Sequence, residues 1–125
     1  PPISLPRKLD LMSTTEDEFT PVAALDDLES NVPRHIVVDG RHAVVALLDD
    51  GRVLSFSAVC PHAMGDLADG LIARGQVICP MHHYRYDLGT GECVWPRGEG
   101  GRLARSPVEV RAGQVCVRIP KPAWW

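Results

Sequence analysis

The sequence predicts an all-β domain, a small antiparallel sandwich or barrel, on three observations. Its β-branched or apolar runs are short. Gly-containing dipeptides suited to tight turns separate those runs. Its 125 residues, 45% of them hydrophobic, suffice for one core and fall short of two full domains.

The elements follow in order. Residues 1–18 are Pro-rich, polar and aperiodic, as expected of a flexible N-terminal extension, and the folded domain is expected over 19–119. Val22-Ala23-Ala24-Leu25 followed by Asp26-Asp27-Leu28-Glu29 reads as a short strand and a helical turn. Ile36-Val37-Val38, Ala43 to Leu48 and Val53 to Val59 then read as a meander. The Asp39-Gly40 and Asp50-Gly51 pairs between them tolerate positive φ at both central positions of a hairpin turn. Further runs at Val77-Ile78, Tyr84-Arg85-Tyr86, Val108-Glu109-Val110 and Val115 to Ile119 are punctuated by Arg74-Gly75, Gly89-Thr90-Gly91 and Ala112-Gly113. Trp95 to Gly101 holds three glycines and one proline, so it reads as an exposed loop. Residues 120–125 read as an extended tail whose Trp124 and Trp125 either pack back on the domain or contact a neighbour.

Charge narrows the function. Seven of the sixteen acidic residues lie in the first thirty positions, while residues 31–125 hold nine acids and eleven bases with no dense Lys/Arg cluster. Neither nucleic acid nor an anionic membrane is an expected partner. The apolar run from Ala43 to Leu48 stops at Asp49-Asp50, far short of the roughly 20 residues that span a bilayer, so no transmembrane segment is expected. Pro1 to Lys8 lacks the apolar core of a secretory signal, which implies a cytoplasmic location and reduced thiols.

The chemistry lies in two short motifs. Cys60-Pro61-His62 and Cys79-Pro80-Met81-His82 each supply one thiolate and one imidazole, and sixteen residues, Ala63 to Ile78, separate them. Arg74-Gly75 lets that stretch turn back, which would set both motifs at neighbouring loop tips. Two such loops can enclose a small metal centre with thiolates toward one end and imidazoles toward the other. A Cys2His2 set also suits a structural zinc ion, although zinc fingers usually pair Cys with Cys and His with His.

The pattern C-x-H, sixteen residues, C-x-x-H resembles the ligand signature of Rieske proteins. The resemblance extends through the hairpin from Asp39 to Val59, through Tyr84 to Glu92, and to Trp95-Pro96-Arg97-Gly98, where the family places a third, proline-containing loop over the cluster. It implies a Rieske-like β-sandwich or barrel with a two-loop cluster-binding subdomain at about residues 58–98. It also implies one 2Fe-2S cluster per chain, with Cys60 and Cys79 on one iron and His62 and His82 on the other. Replacing two anionic thiolates by neutral imidazoles makes the centre less negative, so an added electron is held more readily.

Departures from the family refine the expectation. High-potential members join the two loops by a disulfide, at positions that here are Gly65 and Met81, and carry a hydrogen-bonding serine where this chain has Tyr84. Both absences point to the low end of the roughly −150 to +300 mV range of Rieske centres. Members often have glycine where this chain has Met64 and His83. His83 reads as a surface side chain or a docking group, since adjacent residues of an extended loop point to opposite sides. Met64, Met81, Trp95 and Pro96 read as a docking rim or as a shield against water. Cys93 and Cys116 read as small buried hydrophobes without a function, and His35 and His42 as solvated.

The resemblance implies a one-electron carrier rather than an enzyme. It would take electrons from a flavin-dependent ferredoxin reductase and pass them to a terminal oxygenase. An oxygenase catalytic domain is not expected within these 125 residues. Two other readings stand beside this one: the small subunit or electron-entry module of a larger oxidoreductase such as a nitrite reductase, and a zinc-stabilised interaction module.

Overall fold

The structure, a computed structural model, describes residues 19–62 and 65–119. The expected extension at 1–18, the tail at 120–125 and Met64 lie outside them. Among the described residues the strands are β1 (Thr20–Ala24), β2 (Arg34–Val38), β3 (Arg41–Leu47), β4 (Val53–Ser57), β5 (Leu71–Ala73), β6 (Gln76–Ile78), β7 (Arg85–Asp87), β8 (Cys93–Trp95), β9 (Arg105–Ser106), β10 (Val108–Arg111) and β11 (Gln114–Val117). They form three antiparallel sheets, ordered β1-β11-β10, β2-β3-β4-β9 and β5-β6-β7-β8. Helical structure is confined to 3-10 turns at Leu25–Asp27 and Leu67–Asp69. No helix among the described residues is long and apolar enough to cross a membrane.

Turn chemistry sets the hairpins. Asp39 and Gly40 have φ of 52° and 78°, Arg74 and Gly75 55° and 75°, and Ala112 and Gly113 50° and 79°. Left-handed backbone at both central positions matches the right-handed twist of the flanking strands, so each pair closes a two-residue turn. Asp50-Gly51 departs from the expectation. Only Gly51 takes positive φ (93°), and the turn widens to span Leu48–Arg52, closed by Leu48 N donating to Arg52 O at 2.8 Å. The Asp50 carboxylate instead accepts from Arg52 N at 3.1 Å and Arg52 Nε at 2.9 Å, the local side-chain bonding that competes with regular turns at aspartate.

The central sheet is buried on both faces, which explains the unbroken apolar run in β3. Successive side chains of a strand point to opposite faces. Ala43 and Val45 join Ile36, Val38, Val115 and Val117 in one core against the β1-β11-β10 sheet. Val44 and Ala46 join Phe56, Leu67, Val77, Tyr86 and Leu88 in a second core against the β5-β6-β7-β8 sheet. The second core also contains Cys60 and Cys79.

Strands β5 and β9 lie outside the expected runs, and β8 reaches Trp95, which the sequence placed in a loop. Trp95 pairs with Arg85 and Cys93 with Tyr86, so the loop starts at Pro96. Two or three residues carry too little pattern to show pairing that a neighbouring strand imposes.

One loop junction is set by close packing. Gly91 has φ +84°, and a Cβ there would lie 2.6 Å from the Leu103 carbonyl oxygen, whose residue's N–H bonds back to Gly91 O at 2.8 Å. Gly91→Ala is expected to cost about 2 kcal/mol, measurable as a lower denaturant midpoint with an unchanged slope.

Candidate metal centre

Each motif sits on a loop closed by its own backbone. In the first, Cys60 N donates to Gly65 O at 2.9 Å and Leu67 N to Ala58 O at 2.8 Å, with Val59 and Asp66 bridging as the loop begins and ends. In the second, between β6 and β7, Cys79 N donates to Tyr84 O at 2.8 Å and His83 N to Cys79 O at 2.9 Å. Closing this loop requires left-handed backbone at His83, φ 63°. The position therefore keeps the conformation that glycine adopts freely, at a steric cost of roughly 1–2 kcal/mol for a residue with Cβ. The side chain of His83 is exposed, as expected.

The loops bring the four motif side chains together in two pairs. Cys60 and Cys79 are fully buried. Burial foremost, and beyond it a hydrogen bond and the charge of Cys60, push the Cys79 thiol above its ordinary range. A thiol held in an apolar core resists ionisation until a cation is present to receive it. His62 and His82 are exposed, with ring centroids 5.3 Å apart and planes at 71°. Among the described residues no three His, Cys, Asp or Glu side chains converge on one ion position; the four donors gather instead as a thiol pair and an imidazole pair.

The surrounding residues cover the imidazole end unevenly. Tyr84 stacks on His62 with centroids 3.7 Å apart and planes at 8°, and Trp95 meets Tyr84 edge-on at 6.2 Å. Met81 and Trp95 are 54% and 53% exposed, while Pro96, next in the third loop, is half-buried. A Cβ at Gly65 would lie 2.5 Å from Met81 Cγ and 3.2 Å from Cys79 Sγ, so with methionine at 81 the position is fitted to glycine.

Two residues near the site have roles that the sequence did not show. Tyr86 is fully buried; its hydroxyl donates to Gly100 O at 2.6 Å and lies 3.8 Å from Cys60 Sγ. Burial pushes that hydroxyl well above the usual tyrosine range, so it stays a donor. Its signal in the sequence is the alternation across Tyr84-Arg85-Tyr86, which sends Arg85 outward and Tyr86 inward. Cys93 is half-buried and packs against the second core, and its thiol faces the Trp95 and Pro96 carbonyls, each at 3.4 Å. Cys116 is buried as expected. His35 and His42 are exposed yet paired, with Nε2 and Nδ1 2.8 Å apart and rings stacked at 4.9 Å. Their registers with Val44 and Val37 make them diagonal neighbours on one face.

A buried thiol pair beside an exposed imidazole pair, on two loops of an all-β domain, defines a mixed-ligand metal centre of the electron-transfer kind. Residues 18–107 match the Rieske [2Fe-2S] domain, and the chain belongs to that family. Its cofactor is a Rieske-type 2Fe-2S cluster. The ferredoxin component of the alkene monooxygenase system of Xanthobacter autotrophicus is 28% identical over 101 residues, 80% of this chain and 80% of that protein. The oxygenase component of dicamba O-demethylase from Stenotrophomonas maltophilia is 34% identical over 98 residues, 78% of this chain, and the match spans only 28% of that longer protein. Among solved structures, the ferredoxin of carbazole 1,9a-dioxygenase from Nocardioides aromaticivorans IC177 superposes with a TM-score of 0.74 at 30% identity, covering 82% of this chain and 98% of that one.

The residues present fit the cluster. Each iron of a Rieske centre takes two protein ligands, two cysteines on one and two histidines on the other. The structure holds one such pair in the core and the other at the surface.

Proposed function

We propose that Cys60 and Cys79 hold the inner iron and His62 and His82 the outer one, and that the chain carries single electrons without transforming a substrate itself. The observation that carries this reading is the burial of both thiols beside two exposed imidazoles. When bound, the cluster supplies reversible one-electron uptake. The protein's part is to exclude water from the thiolate end, through the core around Phe56, Leu67, Val77 and Tyr86. It leaves the imidazole edges open to a partner at the other end. Met81 and Trp95 give that opening an apolar rim, and His83 stands beside it.

The donor of the electron is a flavin-dependent reductase and the acceptor a terminal oxygenase, in the cytoplasm. Supporting this is the coverage of the ferredoxin relatives over most of their length, 80% and 98%. A low potential is supported by Gly65 and Met81, which leave no inter-loop disulfide, and by Tyr84, whose ring stacks on His62 in place of a serine hydroxyl. The second reading, an electron-entry module of a larger oxidoreductase, is favoured by the match to a 28% share of the dicamba demethylase component.

Iron and sulfide analysis of the purified protein, with visible and electron paramagnetic spectra, is expected to show one 2Fe-2S cluster per chain. A colourless protein carrying zinc sinks both readings. Reduction of the isolated chain by a flavin reductase, and its reoxidation by a separate oxygenase, favour the free carrier. Co-purification in stable stoichiometry with one large subunit favours the module.

A further inference from the structure

The His35–His42 pair takes no part in the electron-carrying reading above. It sits on the β2-β3 hairpin, where Val44 stands opposite His35 and Val37 opposite His42. Side chains alternate along a strand, so both imidazoles share the Val44 face of the sheet, while Arg34 and Arg41 are sent to the other face. His35 and His42 line an open hollow of about 340 Å³ together with Ala58, Val59, Gly65 and Asp66. The wall of the hollow thus carries two imidazoles and one carboxylate, and no lysine or arginine.

The two rings meet nitrogen to nitrogen. His35 Nε2 and His42 Nδ1 are 2.8 Å apart, with the ring planes 11° from parallel. One nitrogen donates and the other accepts, so a single proton lies between two lone-pair positions. Two imidazole nitrogens on one zinc ion, each at about 2.0–2.1 Å, are themselves about 2.9–3.4 Å apart for angles from a right angle to the tetrahedral one. The pair therefore stands within a few tenths of an ångström of a chelating bite. Both side chains are exposed, so a turn about each Cβ–Cγ bond aims the two lone pairs at one point without disturbing the core. The donor ring then carries its proton on its other nitrogen, and both rings stay neutral.

We propose that His35 and His42 form a second metal site, separate from the iron-sulfur centre, that takes one borderline divalent cation such as zinc through its two imidazole nitrogens. Imidazole suits zinc, copper and nickel, whereas magnesium and calcium prefer oxygen donors. Water fills the remaining positions, because the described residues bring no third donor to the same point. Asp66 on the wall of the hollow adds negative charge beside the ion. Two protein donors rather than four make this an exchangeable site, filled according to the concentration of the free ion, and not a structural cage.

The test is a calorimetric titration of the full, cluster-loaded chain with zinc chloride, with the visible spectrum followed to show that the cluster stays intact. Loading occupies the Cys and His motifs, so the ion added is read against the remaining groups. One zinc ion per chain is expected. His35→Ala and His42→Ala are each expected to weaken binding by about tenfold or more, as one of two donors is lost, and to leave the visible spectrum unchanged. Both positions are exposed, so both variants keep the fold.

No binding by the wild-type chain overturns the proposal. Undiminished binding in either variant overturns it as well, since the ion is then held by other groups, such as the exposed His83. Failure of the ligand reading shows separately, as a wild-type protein without the 2Fe-2S signature. The comparison of wild type with the two variants still decides the proposal in that event, because neither histidine belongs to the two motifs.

Discussion

His82→Ala is expected to abolish the iron-sulfur signal, whereas His83→Gly keeps it. The two histidines are neighbours in sequence, and the structure separates them by backbone conformation. His82 meets His62 with ring centroids 5.3 Å apart, on the side where the imidazole pair gathers. His83 occupies the left-handed position that closes the loop, at φ 63°, with its side chain exposed. On the proposed assignment, losing His82 removes one of two ligands from an iron, and alanine offers no substitute. Glycine at 83 relieves the steric cost of the left-handed backbone and adds unfolded-chain entropy, two effects of about 1 kcal/mol that oppose each other. Cluster content by iron analysis and paramagnetic resonance reads the result. Loss of the cluster in His83→Gly, with retention in His82→Ala, would overturn the assignment of ligands.

Phe56→Ala is expected to cost about 3–5 kcal/mol of stability, a large share of the roughly 5–15 kcal/mol that holds a domain together. Phe56 is fully buried on β4, stands in register with Val44 on β3, and packs in the same core as Cys60 and Cys79. Removing its ring leaves a cavity in the core that holds the thiol pair, so cluster retention is expected to fall with stability. Denaturant unfolding of the loaded protein, followed by far-ultraviolet circular dichroism and by the visible band, measures both. A midpoint within error of wild type would mean that the core under the metal centre is held by other residues.

Much of this protein is legible before folding. The two-residue turns at Asp39-Gly40, Arg74-Gly75 and Ala112-Gly113 follow from residue type, because turn geometry is local and few residues accept positive φ at low cost. The Cys and His motifs are legible for a related reason. A metal centre needs particular donor atoms, and few other residues supply them. The short strands β5 and β9 were not legible, since their pairing comes from neighbours distant in sequence.

What the sequence by itself determined is the all-β class, the meander, the family and the two Cys and His motifs, all of which depend on residue type and near-neighbour spacing. Only the tertiary structure decided which groups surround those donors. It stacked Tyr84 on His62, turned the Cys93 thiol to the third loop, paired His35 with His42, and set the Tyr86 hydroxyl against the Gly100 carbonyl. Each of these joins residues on different strands or loops, and the physical reason is directional. A hydrogen bond or ring contact depends on distance and angle across the fold, and those are set only when the sheets have packed.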